Sequence, residues 1–154
     1  MVLFPDELVV SKSMRSLIRK GTFTVTFNQN FKEVIRHCQN MRRDGQNGTW
    51  ISDGMREAYC KLHEAGIAKS VEVWQDDELV GGLYGIDLGH VFCGESMFSK
   101  RSNASKVGFI ALVDYLKEHD YQLLDCQMHN EHLESLGCRE IPREEFMGIL
   151  NKKT

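Results

Sequence analysis

The feature that most constrains this fold is a run of three strand-like segments in quick succession: Lys69 to Gln75, Glu78 to Ile86 and His90 to Met97. Each is rich in β-branched or aromatic residues, and the connections, Asp76-Asp77 and Asp87 to Gly89, are of hairpin length. Strands joined this way make an antiparallel meander. The next segment breaks that pattern. Ser102 or Asn103 can cap a helix running to about Glu118, with Val107, Ile110, Val113 and Leu116 on one side. Tyr121 to Gln127 then reads as a strand with an apolar centre at Leu123-Leu124. A helix joining two strands of one sheet implies a parallel crossover, so the expected sheet is mixed and mostly antiparallel.

The flanks supply helices. Ser11 can cap a short basic helix through Lys20, and Thr22 to Phe27 alternates as a strand. Asn30 with Glu33 resembles a capping box opening a helix that buries Phe31, Val34, Ile35 and Cys38. After the loop Asp44 to Gly48, Ser52 or Asp53 caps a second helix with Met55, Tyr59 and Leu62 on its inner stripe and Gly66 as its stop. Asn130 starts a short helix ending at Gly137, and Pro142 starts another that buries Phe146, Ile149 and Leu150. No repeat or long linker interrupts the 154 residues, and 42% hydrophobic content suffices for one core, so a single domain spanning 1–154 is expected. The fold class is α/β (α+β): a mixed, mostly antiparallel sheet with flanking helices. That order fits the N-acyltransferase (GNAT-like) fold, in which the meander splays from the next parallel strand and leaves a V-shaped cleft. Fold alone does not give function.

Composition narrows the classes. A net charge of -3 argues against nucleic-acid binding by bulk electrostatics, though not against a local basic face. Lys12, Arg15, Arg19 and Lys20 form one basic cluster, and Lys100, Arg101 and Lys106 another; solvated surface charge explains either equally well. No stretch approaches the ~20 apolar residues of a membrane span, and the N-terminus lacks a secretion signal, so a cytoplasmic location is expected. The five cysteines (Cys38, Cys60, Cys93, Cys126 and Cys138) are odd in number and form no C-x-x-C pair, as expected of reduced thiols.

Three motifs carry potential chemistry. Gly94 to Ser99, followed by Asn103 to Lys106, places Glu95 near a strand end and Lys106 in the first turn of a helix. Free helix N–H groups there suit a phosphate, although a capped helix after a surface glutamate has the same spacing. Asp125-Cys126-Gln127 ends an apolar strand, with Asp125 and Gln127 on one side. Asp125 can hold a cationic substrate and accept a hydrogen bond from its amine, whereas Gln127 can orient groups but is no useful base. Local backbone bonding would also account for both. Trp50, Tyr59 and Phe92 can stack on a base or simply pack in a core. Gly81 to Gly85 lies inside a strand, where close approach or a bulge explains it better than a phosphate loop does. His129 and His132 lack a second pair of ligands at metal-binding spacing, and Cys93 and Cys126 lack an evident activating base, so neither a metal site nor a thiol nucleophile is expected.

The ordered set of motifs resembles the leucyl/phenylalanyl-tRNA–protein transferases. It comprises Gly48 to Ile51, Ala58-Tyr59, Leu62-His63, Ser70 to Trp74, Leu79 to Gly85, Gly94 to Ser99, Asn103 to Lys106, Asp125 to Gln127 and Ser135 to Gly137 with Ile141 and Arg143. The likeness runs from almost Met1 over nearly the whole chain. It implies the catalytic domain of that family, without the small N-terminal domain its members usually carry to help frame the tRNA and amino-acid sites. It also implies transfer of leucine or phenylalanine, less well methionine, from aminoacyl-tRNA to proteins beginning with arginine or lysine, which marks them for degradation. Trp50 and Phe92 would contact the tRNA's terminal adenosine, with Tyr59 in support. Glu95 and Asp125 would attract the acceptor's cationic N-terminal residue, and Asp125 and Gln127 would position its amine. Leu83, Met97, Phe109, Leu112, Leu116 and Leu124 would line the aminoacyl pocket. No metal or other cofactor is implied, and no pyrophosphate loop of the acyl-coenzyme A type precedes the Asn103 helix. Two alternatives stay open: an enzyme of the same fold using another activated acyl donor, and a non-catalytic adaptor for basic N-termini.

Overall fold

The computed structural model describes residues 1–40, 52–126 and 131–152. Its strands are β1 (Val2–Leu3), β2 (Thr24–Phe27), β3 (Ala68–Gln75), β4 (Glu78–Asp87), β5 (Val91–Ser99) and β6 (Leu123–Asp125). Its helices are α1 (Lys12–Arg19), α2 (Phe31–Asn40), α3 (Asp53–Glu64), α4 (Ala104–Glu118), α5 (Glu131–Glu134) and α6 (Arg143–Asn151). The strands form one sheet in the order β1-β6-β5-β4-β3-β2. β5 and β6 run parallel and all other neighbours antiparallel, so the sheet is mixed as expected. The meander is β3-β4-β5, and α4 makes the crossover from β5 to β6.

Local chemistry accounts for the helix starts. Ser11 Oγ accepts the Met14 N–H at 3.2 Å, and Ser52 Oγ accepts the Met55 N–H at 3.1 Å. Each satisfies one of the donors that a first helical turn leaves without a partner. α4 starts differently from expectation. Asn103 precedes it at φ +70° and makes no side-chain cap; Ser99 Oγ, reaching from the end of β5, accepts the Ser105 N–H at 3.2 Å. The cap therefore ties the helix to the strand before it.

The two faces of the sheet are covered differently. α4 packs Val107, Phe109, Leu112 and Leu116 over Val71, Leu83, Phe92 and Leu124. On the opposite face α2 and α3 cover Tyr84 and Phe98, and α6 covers Val91 and Leu123. Gly81 lets α4 approach closely: a methyl there would stand 2.9 Å from Ala104 Cβ, well inside van der Waals contact. The buried Glu72 is structural, for its carboxylate accepts hydrogen bonds from Thr26 Oγ1, Gln29 N and Ser70 Oγ.

One expectation needs correction. The last strand begins at Leu123, later than Tyr121, because the Tyr121 N–H turns back to the Leu116 carbonyl at the end of α4. Val2–Leu3, for which the sequence suggested no element, is an edge strand antiparallel to β6. The loop expected at Asp44 to Gly48 lies outside the described residues.

Candidate active site

The candidate site lies where, among the described residues, β5 parts from β6 while keeping β4 on its other side. β6 pairs with β5 at Val91, Phe92 and Cys93, opposite Leu123, Leu124 and Asp125. Among the described residues, β5 runs on to Ser99 with no β6 backbone beside it. On its other side, β5 bulges. Gly85 pairs with Gly94 and Tyr84 with Ser96, so Glu95 is an extra residue with no opposite number on β4. A bulge increases local twist and re-aims the side chains beyond it. Gly85 is essential to the geometry, since a methyl there would lie 2.5 Å from the Phe92 ring and 3.0 Å from the Cys93 carbonyl carbon.

The bulge decides which residues share a face. Strict alternation from Phe92 would turn Met97 away from α4; the extra residue returns Met97 to the α4 side and sends Phe98 to the α2 side. Cys93 falls on the face opposite Phe92, together with Leu123, and Asp125 follows Leu124 onto that same face. Glu95 joins them. The Tyr59 hydroxyl on α3 donates a hydrogen bond to the Glu95 carboxylate, while burial, then the Glu95 charge and that bond, raise the tyrosine above its usual range. The Cys93 thiol is pushed up to about 11 by burial first, then by the charges of Asp125 and Glu95. Both carboxylates therefore act on one thiol, and two anions beside an opening in the sheet make a place for a cation. Cys93 itself stays a neutral thiol near neutrality, a poor nucleophile.

The expected apolar pocket residues gather on the other face. Leu83, Phe109, Leu112, Leu116 and Leu124 are each at most 4% exposed in one cluster, and Met97, half-buried, packs against it. Phe92 belongs to this cluster at 2% exposed, whereas Tyr59 lies half-buried on the carboxylate side with its ring edge-to-face against Tyr84 at 5.3 Å. Pocket side chains and carboxylates are thus separated by the thickness of the sheet. Gly94 follows the last described pair of β5 with β6, Cys93 opposite Asp125, and a methyl on it would touch the Asp125 carbonyl at 3.4 Å. Trp50, Gln127 and His129 lie outside the described residues.

The basic clusters also come together. The α1 residues Lys12, Arg15, Arg19 and Lys20 are all exposed, and Lys20 lines a groove of about 290 Å³ with Asn103 at the start of α4. Arg101 there pairs with Glu78 at 3.8 Å. Sequence reading did not foresee Cys93 between the carboxylates or Tyr59 bonded to Glu95. The first follows from the register that sets Cys93 opposite Asp125, with Glu95 two residues on along the same face, and that register is not legible in the sequence.

With this geometry in view, residues 2–151 match the family model described as leucyl/phenylalanyl-tRNA protein transferase. The chain belongs to that family. A leucyl/phenylalanyl-tRNA–protein transferase of Flavobacterium johnsoniae is 73% identical over 153 residues, covering 99% of this chain and 72% of the relative. Its namesake in Dechloromonas aromatica is 51% identical over 154 residues, covering 100% of this chain and 66% of the relative. Among solved structures, L-PGS from Bacillus licheniformis superposes with a TM-score of 0.58 at 14% identity, over 82% of this chain and 45% of that one. A ribosomal-protein-alanine N-acetyltransferase from Brucella melitensis gives 0.55 at 13%, over 77% and 91%. These distant likenesses establish the N-acyltransferase fold, here in a member of the tRNA–protein transferase family. Among the described residues no helix is long and apolar enough to cross a membrane.

Proposed function

We propose that this chain moves leucine or phenylalanine, and less well methionine, from aminoacyl-tRNA to the N-terminal amine of proteins that begin with arginine or lysine. The observation that carries this reading is the pair of carboxylates, Glu95 and Asp125, whose charges both act on Cys93 on the face of the sheet opposite an apolar cluster, near the point where β6 leaves β5. The acceptor is doubly cationic at its N-terminus, through its side chain and its α-ammonium. Two anions in a partly water-excluded cleft favour it over a neutral residue. The aminoacyl side chain enters from the α4 side among Leu83, Met97, Phe109, Leu112, Leu116 and Leu124. Met97, unbranched and the most exposed of the six, is the side chain best able to yield room.

The ester carbonyl then lies near the point where β6 leaves β5. The acceptor ammonium gives a proton to Asp125, and the free amine attacks that carbon. A C–N bond forms and leaves the attacking nitrogen with one proton too many; as the tetrahedral intermediate collapses and the C–O bond to the ribose breaks, that proton passes to the departing 3′-oxygen, and Asp125 releases its own to solvent. Placement accounts for much of the rate, since the ester is already activated. Gln127 orients the amine. Trp50, Tyr59 and Phe92 serve the terminal adenosine, Tyr59 from the carboxylate face and Phe92 as a wall shared with the apolar chamber. The basic surface of α1 and the start of α4 meets the tRNA's phosphates. The product is a degradation signal, and the donor places the reaction in the cytoplasm.

The test supplies purified protein with an Arg-initiated peptide and either labelled leucyl-tRNA or an acyl-coenzyme A. Label should move from the tRNA and not from the coenzyme A thioester. Transfer from the thioester alone would mean another donor, and tight peptide binding without transfer would mean an adaptor.

A further inference from the structure

The proposed reaction leaves two buried sulfurs unused. Cys126, directly after Asp125, and Cys138, directly after Gly137, are twelve positions apart with their Sγ atoms 3.5 Å from each other. Both are held from the backbone. The Cys126 N–H donates to the Met1 carbonyl at 2.9 Å, and the Cys138 N–H to the Leu133 carbonyl at 3.1 Å. Arg139, next in sequence, exchanges two backbone bonds of 2.8 Å with Val2 on β1. β1 is thus clamped between β6 and this segment, with the two thiols facing each other at one corner. Cys138 is 5% exposed, while Cys126 is half-buried and gives a small reagent its approach.

We infer that Cys126 and Cys138 are a reversible oxidation site, closed to a disulfide by hydroperoxides, and that closure draws the end of β6 out of register and slows transfer. The effect on transfer rests on the proposed role of Asp125; the disulfide does not. The chemistry balances with hydrogen peroxide as oxidant. The Cys138 thiolate attacks one peroxide oxygen, the O–O bond breaks, and the departing hydroxide takes the Cys126 proton as water. The Cys126 sulfur then attacks the Cys138 sulfenic sulfur, the S–O bond breaks, and the departing hydroxide recovers from solvent the proton that Cys138 gave up on ionising and leaves as a second water. Two thiols are oxidised and one peroxide is reduced. The contact between the two sulfurs lowers the Cys138 thiol and, with burial, pushes the Cys126 thiol up, which makes Cys138 the first nucleophile. A disulfide needs its sulfurs at about 2.05 Å, so the pair must contract. Cys126 is one residue from Asp125, and that contraction acts directly on the last backbone pair of β6.

The native protein is treated with a small excess of hydrogen peroxide, its remaining thiols are alkylated, and its peptides are mapped by mass spectrometry. The expected product is a cross-link between the Cys126 and Cys138 peptides lacking two hydrogens and restored by dithiothreitol, with transfer slowed several-fold in between. Cys138→Ser should form no cross-link and keep its rate under peroxide. Separate sulfinic or sulfonic acids on the two cysteines, or oxidation of Cys60 with no cross-link, would overturn the site. A cross-link that leaves transfer unchanged would overturn the coupling to β6. A reduced protein inactive from the outset would count against the transferase reading, and the peptide map would still decide the disulfide.

Discussion

At the scale of single residues, the site turns on what Cys93 senses. Its thiol, raised to about 11 by burial and then by Asp125 and Glu95, is almost wholly protonated at pH 8. Alkylation by iodoacetamide should therefore be slow at pH 8 and rise about tenfold per pH unit toward the thiol's own value, because the thiolate is the reactive form. Asp125→Asn removes one of the opposing charges while preserving shape. Labelling of Cys93 at pH 8 should then quicken several-fold, followed by mass spectrometry of the Cys93 peptide. An unchanged rate would mean that Asp125 faces elsewhere. Asp125 could be singled out from sequence because a carboxylate ending an apolar strand is unusual. Its nearness to Glu95 could not be seen there, since the two belong to strands whose register no local pattern fixes.

At the scale of elements, the β5 bulge is the device that returns Met97 to the apolar cluster while Glu95 stays on the Cys93 face. Gly85 permits it, standing opposite Gly94 where β4 and β5 fall out of step. Gly85→Ala would drive a methyl into the Phe92 ring and the Cys93 backbone, and neighbouring-strand backbone cannot swing aside as a flexible side chain could. The expected loss is about 1–3 kcal/mol, the usual cost of overpacking, or more, read as a lower denaturation midpoint at unchanged slope. An alanine variant of wild-type stability would mean that Gly85 does not hold the bulge in place. The helices and meander were legible in sequence because Ser11, Ser52 and the Asp76-Asp77 turn are strong local signals. The bulge and β1 were not: a bulge adds one residue without altering composition, and two residues at a chain start have no alternation to read.

At the scale of the whole molecule, the fold sets out three things: an apolar cluster beneath α4, two carboxylates on the far face, and a basic margin at α1. The sequence suggested each separately, and its family likeness joined them. What periodicity could not give was that the cluster and the carboxylates lie on opposite faces of the sheet. In the proposed reaction the donor side chain therefore comes from the α4 face and the amine from the carboxylate face. The most direct test compares wild type with Asp125→Ala in transfer of labelled leucine from tRNA to an Arg-initiated peptide, with circular dichroism confirming the fold of both. The expected loss is about 10²-fold or more, the scale of a positioned proton acceptor. Equal rates from two equally folded proteins would contradict the role given to Asp125.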